Sequence, residues 1–179
     1  MIDAFLLYSC LAALFFLPML VEARRAAGNE RAQFARGGIE PPGDVYRVMR
    51  VVYPAAFAAM LVEGFARGGP SRAWCAVGLA CFGAAKSLKW WAVVTLGPFW
   101  TFRVVVLPGA PLIDGGPYRF VRHPNYIAVV LELVGAALLT GAAVSGPLAV
   151  VLFGVLLARR MEVEDRALRR AARHPPCSL

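Results

Sequence analysis

Fifteen of the seventeen arginines fall in three segments, 22–50, 97–125 and 159–179, and long apolar runs separate them. This alternation limits what the chain can fold into more than any other feature. At 1.5 Å per residue, about 20 apolar residues in a helix cross the roughly 30 Å of a bilayer's hydrocarbon. The runs cover about 4–21, 51–66, 73–96, 126–144 and 147–160. With five crossings and the N-terminus outside, the three segments place six, three and six arginines in the cytoplasm, against Arg67 and Arg72 outside. Cytoplasmic loops carry such an excess of cations. One crossing more or fewer would put a six-arginine segment on the wrong face. The chain therefore reads as an all-α integral membrane protein, one domain over 1–179, with five transmembrane helices, a long cytoplasmic loop and a C-terminal helix extension.

Composition agrees with this reading and excludes others. Apolar residues make up 59% of the chain, mean hydropathy is +0.62, and charged residues are 17%. A soluble domain carries about 25%. The net charge of +8 would suit nucleic acid, but the cations flank apolar runs, as they do beside membrane lipids, so no nucleic-acid partner is expected. Cys10, Cys75, Cys81 and Cys177 form no CxxC pair or Cys/His cluster, so free thiols and no metal are expected. The first run follows Met-Ile-Asp and precedes its basic residues, the reverse of a signal peptide, and reads as an uncleaved span. Residues 22–44 read as a basic surface helix followed by the turn-rich loop "RGGIEPPGD". The connection 97–122 is long for so small a protein, and long ordered loops tend to carry function.

The fourth run opens with unusual polar chemistry, "GGPYRFVRHPNY" at 115–126. Proline disfavours helix at the residue before it, so His123 is expected to be extended, with Pro124 in the first helical turn, where its missing N–H costs nothing. Tyr118, Arg119, Arg122, His123 and Tyr126 could be interfacial anchors, or together one polar site. Glu132 lies deeper. At about 100° per residue it returns to the face of Asn125, and a carboxylate inside a span must pair or be neutralised. The histidine loop and Glu132 therefore read as two ends of one polar pocket.

The fifth helix supplies a second wall. With Phe153 as origin, Leu157, Arg160, Glu164 and Leu168 share its apolar face, while Glu162, Asp165, Arg166 and Arg169 gather opposite as a solvated surface. Arg160 and Glu164 read as a clamp for a cofactor or substrate, or as a snorkelling arginine with its partner. Lys86 and Lys89, one turn apart in the third run, either line a cavity or snorkel. Glu63 reads as interfacial, and Trp90, Trp91 and Trp100 as an aromatic belt.

These residues resemble the isoprenylcysteine carboxyl methyltransferase family. The resemblance rests on Gly116-Pro117-Tyr118-Arg119, on Arg122-His123-Pro124-Asn125-Tyr126, on Glu132 in the following span, and on Arg160-Met161-Glu162-Val163-Glu164-Asp165. It covers about 97–170, and the upstream segment is similar to a bacterial branch with members that methylate alkylpyrones or alkylresorcinols. The family's signature is an RHPxY stretch, a helical hairpin and an R-x-x-x-E-[ED] stretch. The resemblance implies S-adenosylmethionine as cofactor, released as S-adenosylhomocysteine and held by the half 97–172 at the cytoplasmic face. It implies a lipophilic small-molecule acceptor entering from the bilayer, in a bacterial inner membrane. Tyr118, Arg122, His123, Pro124, Asn125, Tyr126, Glu132 and Arg160 would bind the cofactor, and Glu164 and Arg160 would act in catalysis. An alkylpyrone or alkylresorcinol hydroxyl is the expected acceptor. Prenylated cysteine, a phospholipid amine, and a non-enzymatic assembly role stay open.

The arginine distribution is testable. Cysteines introduced at Glu30 and Arg170 should both resist an impermeant thiol reagent in intact cells and react after permeabilisation. Labelling of either from outside would rule out five crossings.

Overall fold

A computed structural model describes residues 2–111 and 113–173. Cys177 and His174 lie outside the described residues. The described residues fold into five α-helices: α1 (Ile2–Ala35), α2 (Tyr46–Arg67), α3 (Arg72–Leu96), α4 (Pro124–Thr140) and α5 (Ser145–Arg173). Short 3-10 turns at Gly97–Phe99 and Gly116–Arg119 punctuate the α3–α4 connection. Among the described residues the only β pairing is a single antiparallel bridge between Ile39 and Val106. Among the described residues two helices are long and apolar enough to cross a membrane, over Ala4–Ala35 and Tyr46–Arg67, and Pro124–Thr140 is a shorter apolar helix. Their outward side chains suit lipid: Phe5, Leu6 and Leu17 on α1 and Val51 and Val62 on α2 are each more than 60% exposed.

Boundaries depart from the sequence expectation in two places. α1 does not stop at the apolar run but continues unbroken through the basic segment to Ala35, so no separate surface helix forms. The fourth apolar run is cut short at Thr140, where Gly141 takes a left-handed conformation (φ 74°) and its N–H closes on the Ala137 carbonyl. Glu63 does more than sit at an interface. Its carboxylate caps the start of α5, accepting from the Val144 and Ser145 N–H groups at 2.9 and 2.7 Å and from the Ser145 hydroxyl at 2.6 Å.

The core is aromatic at its centre. Phe15 of α1, Phe57 of α2 and Phe82 of α3 are fully buried against one another, with Phe15 centroids 5.1 Å from each partner. Tyr53 extends the cluster to Phe57 and Phe153, both at 5.0 Å. Such edge and tilted contacts suit the ring quadrupole. Around this centre, small residues let backbones approach, the usual means of helix association in lipid. A Cβ at Gly78 would lie 2.7 Å from the Leu139 nitrogen, and one at Gly135 would lie 2.7 Å from the Phe82 nitrogen. α3 and α4 are thus packed backbone to backbone. On the other side of α4, Tyr8 donates to the Thr140 carbonyl at 3.0 Å.

The close approach gives a direct test. Gly135→Ala should force α3 and α4 apart and cost about 1–3 kcal/mol, visible as a lower thermal midpoint in detergent. Gly83→Ala is the control, since nothing lies within 4 Å of its added Cβ. Equal midpoints would show that the α3–α4 seam tolerates a methyl group.

Candidate active site

The long loop after α3 is held in place by polar residues on the last turns of α1. Asn29 Nδ2 donates to the Gly97 and Trp100 carbonyls at 3.0 and 2.7 Å, and Gln33 Nε2 to the Pro98 carbonyl at 2.9 Å. Glu30 Oε1 accepts from the Phe102 and Arg103 N–H groups, both at 3.1 Å. Asp44, just ahead of α2, accepts from the Val104 N–H at 2.8 Å and from the Tyr46 N–H at 3.0 Å. The Ile39–Val106 bridge and an Arg103–Glu40 ion pair at 2.8 Å complete the fastening. An irregular backbone segment must find partners for its N–H and C=O groups, and here side chains supply them. The sequence reading missed all four of Asn29, Glu30, Gln33 and Asp44. Polar residues at 29, 30 and 33 lie within one helical turn, and this spacing was the available signal.

Beneath this strap, the start of α4 meets the end of α5. Pro124 is buried at the first position of α4, and His123 before it sits at φ −128°, ψ 61°. The His123 ring stacks on Tyr126 at 5.2 Å with 10° between planes. Tyr126 is the hub. Its hydroxyl donates to Glu164 Oε2 at 2.6 Å and accepts from Arg160 Nε at 2.8 Å. Arg160 is only 6% exposed, with Nη1 at 3.5 Å from Asp44 Oδ1 and 4.0 Å from Met49 Sδ. One carboxylate therefore ties both the strap and the buried guanidinium.

Two cavities meet at this hub. The larger, about 730 Å³, lies between the strap, the start of α4 and the end of α5, and Tyr118, Arg122, His123, Glu164 and Asp165 line it. The smaller, about 380 Å³, runs among α1, α2 and α5 past Phe16, Met19, Met49, Pro54 and Leu157. Thr101, Asn125, Tyr126 and Arg160 border both. The Asn125 side-chain oxygen is buried at this junction with no hydrogen-bond partner among the described residues, and Trp100 Nε1 is likewise unpaired. Buried polar atoms in that state cost free energy unless a ligand or water completes them. Burial, and next the Glu164 charge, push the Tyr118 phenol well above its ordinary pKa, so it stays a proton donor.

The structure thus brings Tyr118, Arg122, His123, Asn125, Tyr126, Arg160 and Glu164 to one cavity wall. Pro124 shapes the turn without lining the cavity. Asp165 corrects the helical-face expectation: it turns to the cavity, 3.4 Å from Arg122 and 3.7 Å from His123 Nε2, whereas Glu162 is 73% exposed beside Arg166. Glu132 stands apart. Seven residues of helix carry it about 10 Å deeper than Asn125, where Lys86 Nζ at 2.9 Å, Lys89 Nζ at 3.1 Å and the Tyr53 hydroxyl engage it. Glu132 does not line the larger cavity. Lys86 and Lys89 do not snorkel, since Glu22 of α1 closes the group from the other side.

The family profile for "Isoprenylcysteine carboxyl methyltransferase (ICMT) family" matches residues 76–170, the stretch that holds α4, the hub and the end of α5. The chain belongs to that family. It is accordingly a membrane methyltransferase, and methyltransferases of this family generally use S-adenosylmethionine. Over 159 residues it is 29% identical to the uncharacterized protein YpbQ of Bacillus subtilis, covering 89% of this chain and 95% of that one. An uncharacterized protein of Haemophilus influenzae is 23% identical over 162 residues, covering 90% and 92% of the two chains. No solved structure matches the chain.

The fastening of the strap can be measured apart from chemistry. Asn29→Ala leaves two carbonyls without their donor, at about 1–3 kcal/mol. Deuterium uptake across 97–106 should then rise roughly tenfold or more while α3 is unchanged. Unaltered uptake would show that Asn29 does not hold the strap.

Proposed function

We propose that the protein is an S-adenosylmethionine-dependent O-methyltransferase acting on a small lipid hydroxyl, such as that of an alkylpyrone or alkylresorcinol. The carrying observation is that a polar cavity and an apolar cavity share Tyr126 and Arg160 at their junction. We place this junction at the cytoplasmic face of a bacterial inner membrane, with five crossings and an outside N-terminus.

The larger cavity fits the cofactor by its donor set. Arg122 suits a carboxylate, the unpartnered Asn125 oxygen suits an ammonium or hydroxyl donor, and the stacked His123–Tyr126 pair offers an aromatic face for a purine or a sulfonium. When bound, S-adenosylmethionine supplies an electrophilic methyl group on a sulfonium, whose loss leaves a neutral thioether. The chain's own task is then to align the acceptor oxygen, exclude water and remove one proton.

The hub does the last of these. Arg160 fixes the Tyr126 oxygen by donating to it, and Glu164 holds the Tyr126 proton. An acceptor hydroxyl at the junction can donate to the remaining lone pair of Tyr126. With the methyl donor bound, transfer to the acceptor oxygen would let the acceptor proton pass to Tyr126 while the tyrosine proton passes to Glu164. Glu164 is 31% exposed and can release it to water.

Glu164→Gln should therefore lower transfer of labelled methyl to a lipid hydroxyl by about 10²–10⁴-fold. Glu162→Gln, at an exposed site, should stay within about twofold of wild type. The assay uses detergent-solubilised protein and a panel of alkylpyrones, alkylresorcinols and farnesyl-cysteine. Equal activity in the two variants would remove Glu164 from the chemistry. Methylation of farnesyl-cysteine alone would overturn the hydroxyl acceptor, since a carboxylate brings no proton to remove.

A further inference from the structure

The apolar cavity ends on charge. Lys89, Glu22 and Tyr53 reach its wall, with Lys86 and Glu132 behind them. Lys89 Nζ lies 2.7 Å from Glu22 Oε2 and 3.1 Å from Glu132 Oε2, while Lys86 Nζ lies 2.9 Å from the other oxygen of each carboxylate. The four groups close a ring with no net charge. Pairing alone would be served by an apolar core at lower desolvation cost, so intramembrane ions of this kind call for a use.

An ammonium group carries three protons. Among the described residues, two of those on Lys89 point to carboxylates. On its remaining side is the Tyr53 ring, whose centroid is 5.5 Å away and attracts the charge without accepting a hydrogen bond. The Tyr53 hydroxyl is itself committed to Glu132. Lys89 thus brings one unspent donor to a cavity whose wall is mostly apolar.

We propose that Lys89 is a specificity-determining residue that binds a second oxygen of the acceptor, distinct from the oxygen that is methylated. This deepens the methyltransferase reading and rests on it for the other end of the ligand. Arg160 and Lys89 line the same cavity, Arg160 beside Met49 and Lys89 beside Tyr53, one turn further along α2. A ligand ring bearing two oxygens can turn one toward the hub and the other toward Lys89. A neutral oxygen completes the ammonium without disturbing the ring's charge balance. A lipid with one oxygen leaves the donor unpaired, and an anion at this end would unbalance the ring.

The test compares tritiated 5-pentadecylresorcinol with 3-pentadecylphenol, which differ by one hydroxyl, in equilibrium binding to the full chain in detergent without methyl donor. Wild type should hold the resorcinol at least about tenfold more tightly. The double substitution Lys89→Met with Glu132→Gln removes one charge of each sign and leaves the Lys86–Glu22 pair. It should bring the two affinities within about twofold, with a thermal midpoint reporting that it folds. Equal affinities in wild type would overturn the proposal whether or not the variant folds, as would a preference that survives in a folded variant. Failure of both probes to bind wild type would overturn it too. A Lys89-dependent preference in a protein that transfers no labelled methyl group in the activity assay above would instead uphold it and refute the hydroxyl-methylation reading alone.

Discussion

Two carboxylates and two ammonium groups, from α1, α3 and α4, meet in the middle of the bundle, and the placement of everything nearer the active site follows from that contact. Each lysine of α3 touches both Glu22 and Glu132 within 3.1 Å. Removing any one member would strand a charge where desolvation costs several kcal/mol. The ring therefore fixes the register of α1 against α3 and of α4 against α3. It also neutralises the two cations of α3 within the bundle. Tyr53 extends the same bond to α2. Glu22 stands near the end of the apolar part of α1, so the ring also sets where the polar last turns of that helix begin.

Those last turns are what hold the site. With α1 fixed in register, Asn29, Glu30 and Gln33 stand where the α3–α4 connection leaves α3 and satisfy its backbone groups. Asp44 repeats the device from the other side of the loop and reaches Arg160 as well. A long irregular loop thus becomes a fixed roof. The guanidinium below it is buried but donates to the Tyr126 oxygen and pairs with the Asp44 carboxylate. That is the condition under which a buried cation persists.

Much of this was legible in the sequence where chemistry and period coincide. The turn before Pro124 and the inward facing of Arg160 and Glu164 both follow from patterns that one segment carries by itself. Expectations failed where two distant segments had to be read together. Glu132 seemed to extend the histidine loop because the two share a helical face; that face passes from one cavity wall into the core as it descends. Lys86 and Lys89 left two cations in one run and Glu132 one anion in another. Balancing charges across the bundle asks for a second anion, and Glu22, at the edge of the first run, was available to supply it. Asp165 illustrates the limit of helical-face counting. It lies near the margin of the solvated arc, and a cationic neighbour from another segment, Arg122, decides its direction.

The same logic explains why an apolar helix should open with a cluster of arginine, histidine and tyrosine. On the function proposed above, a charged, water-soluble methyl donor needs polar walls and a lipid acceptor needs apolar ones, and no single cavity satisfies both. The chain resolves this by placing Asn125 and Tyr126 at the first turn of α4, where the polar entry loop gives way to apolar helix. Both cavities then border the same two residues. Tyr126 is suited to that border because its ring is apolar and its hydroxyl is not. The ring stacks on His123 toward the polar side, while the hydroxyl is fixed by Arg160 and Glu164 from α5. Moving the aromatic residue one position along the helix would turn it by about 100°, away from α5 and from both partners of its hydroxyl. The boundary between loop and helix at Pro124 is therefore also where the polar and the apolar cavity meet.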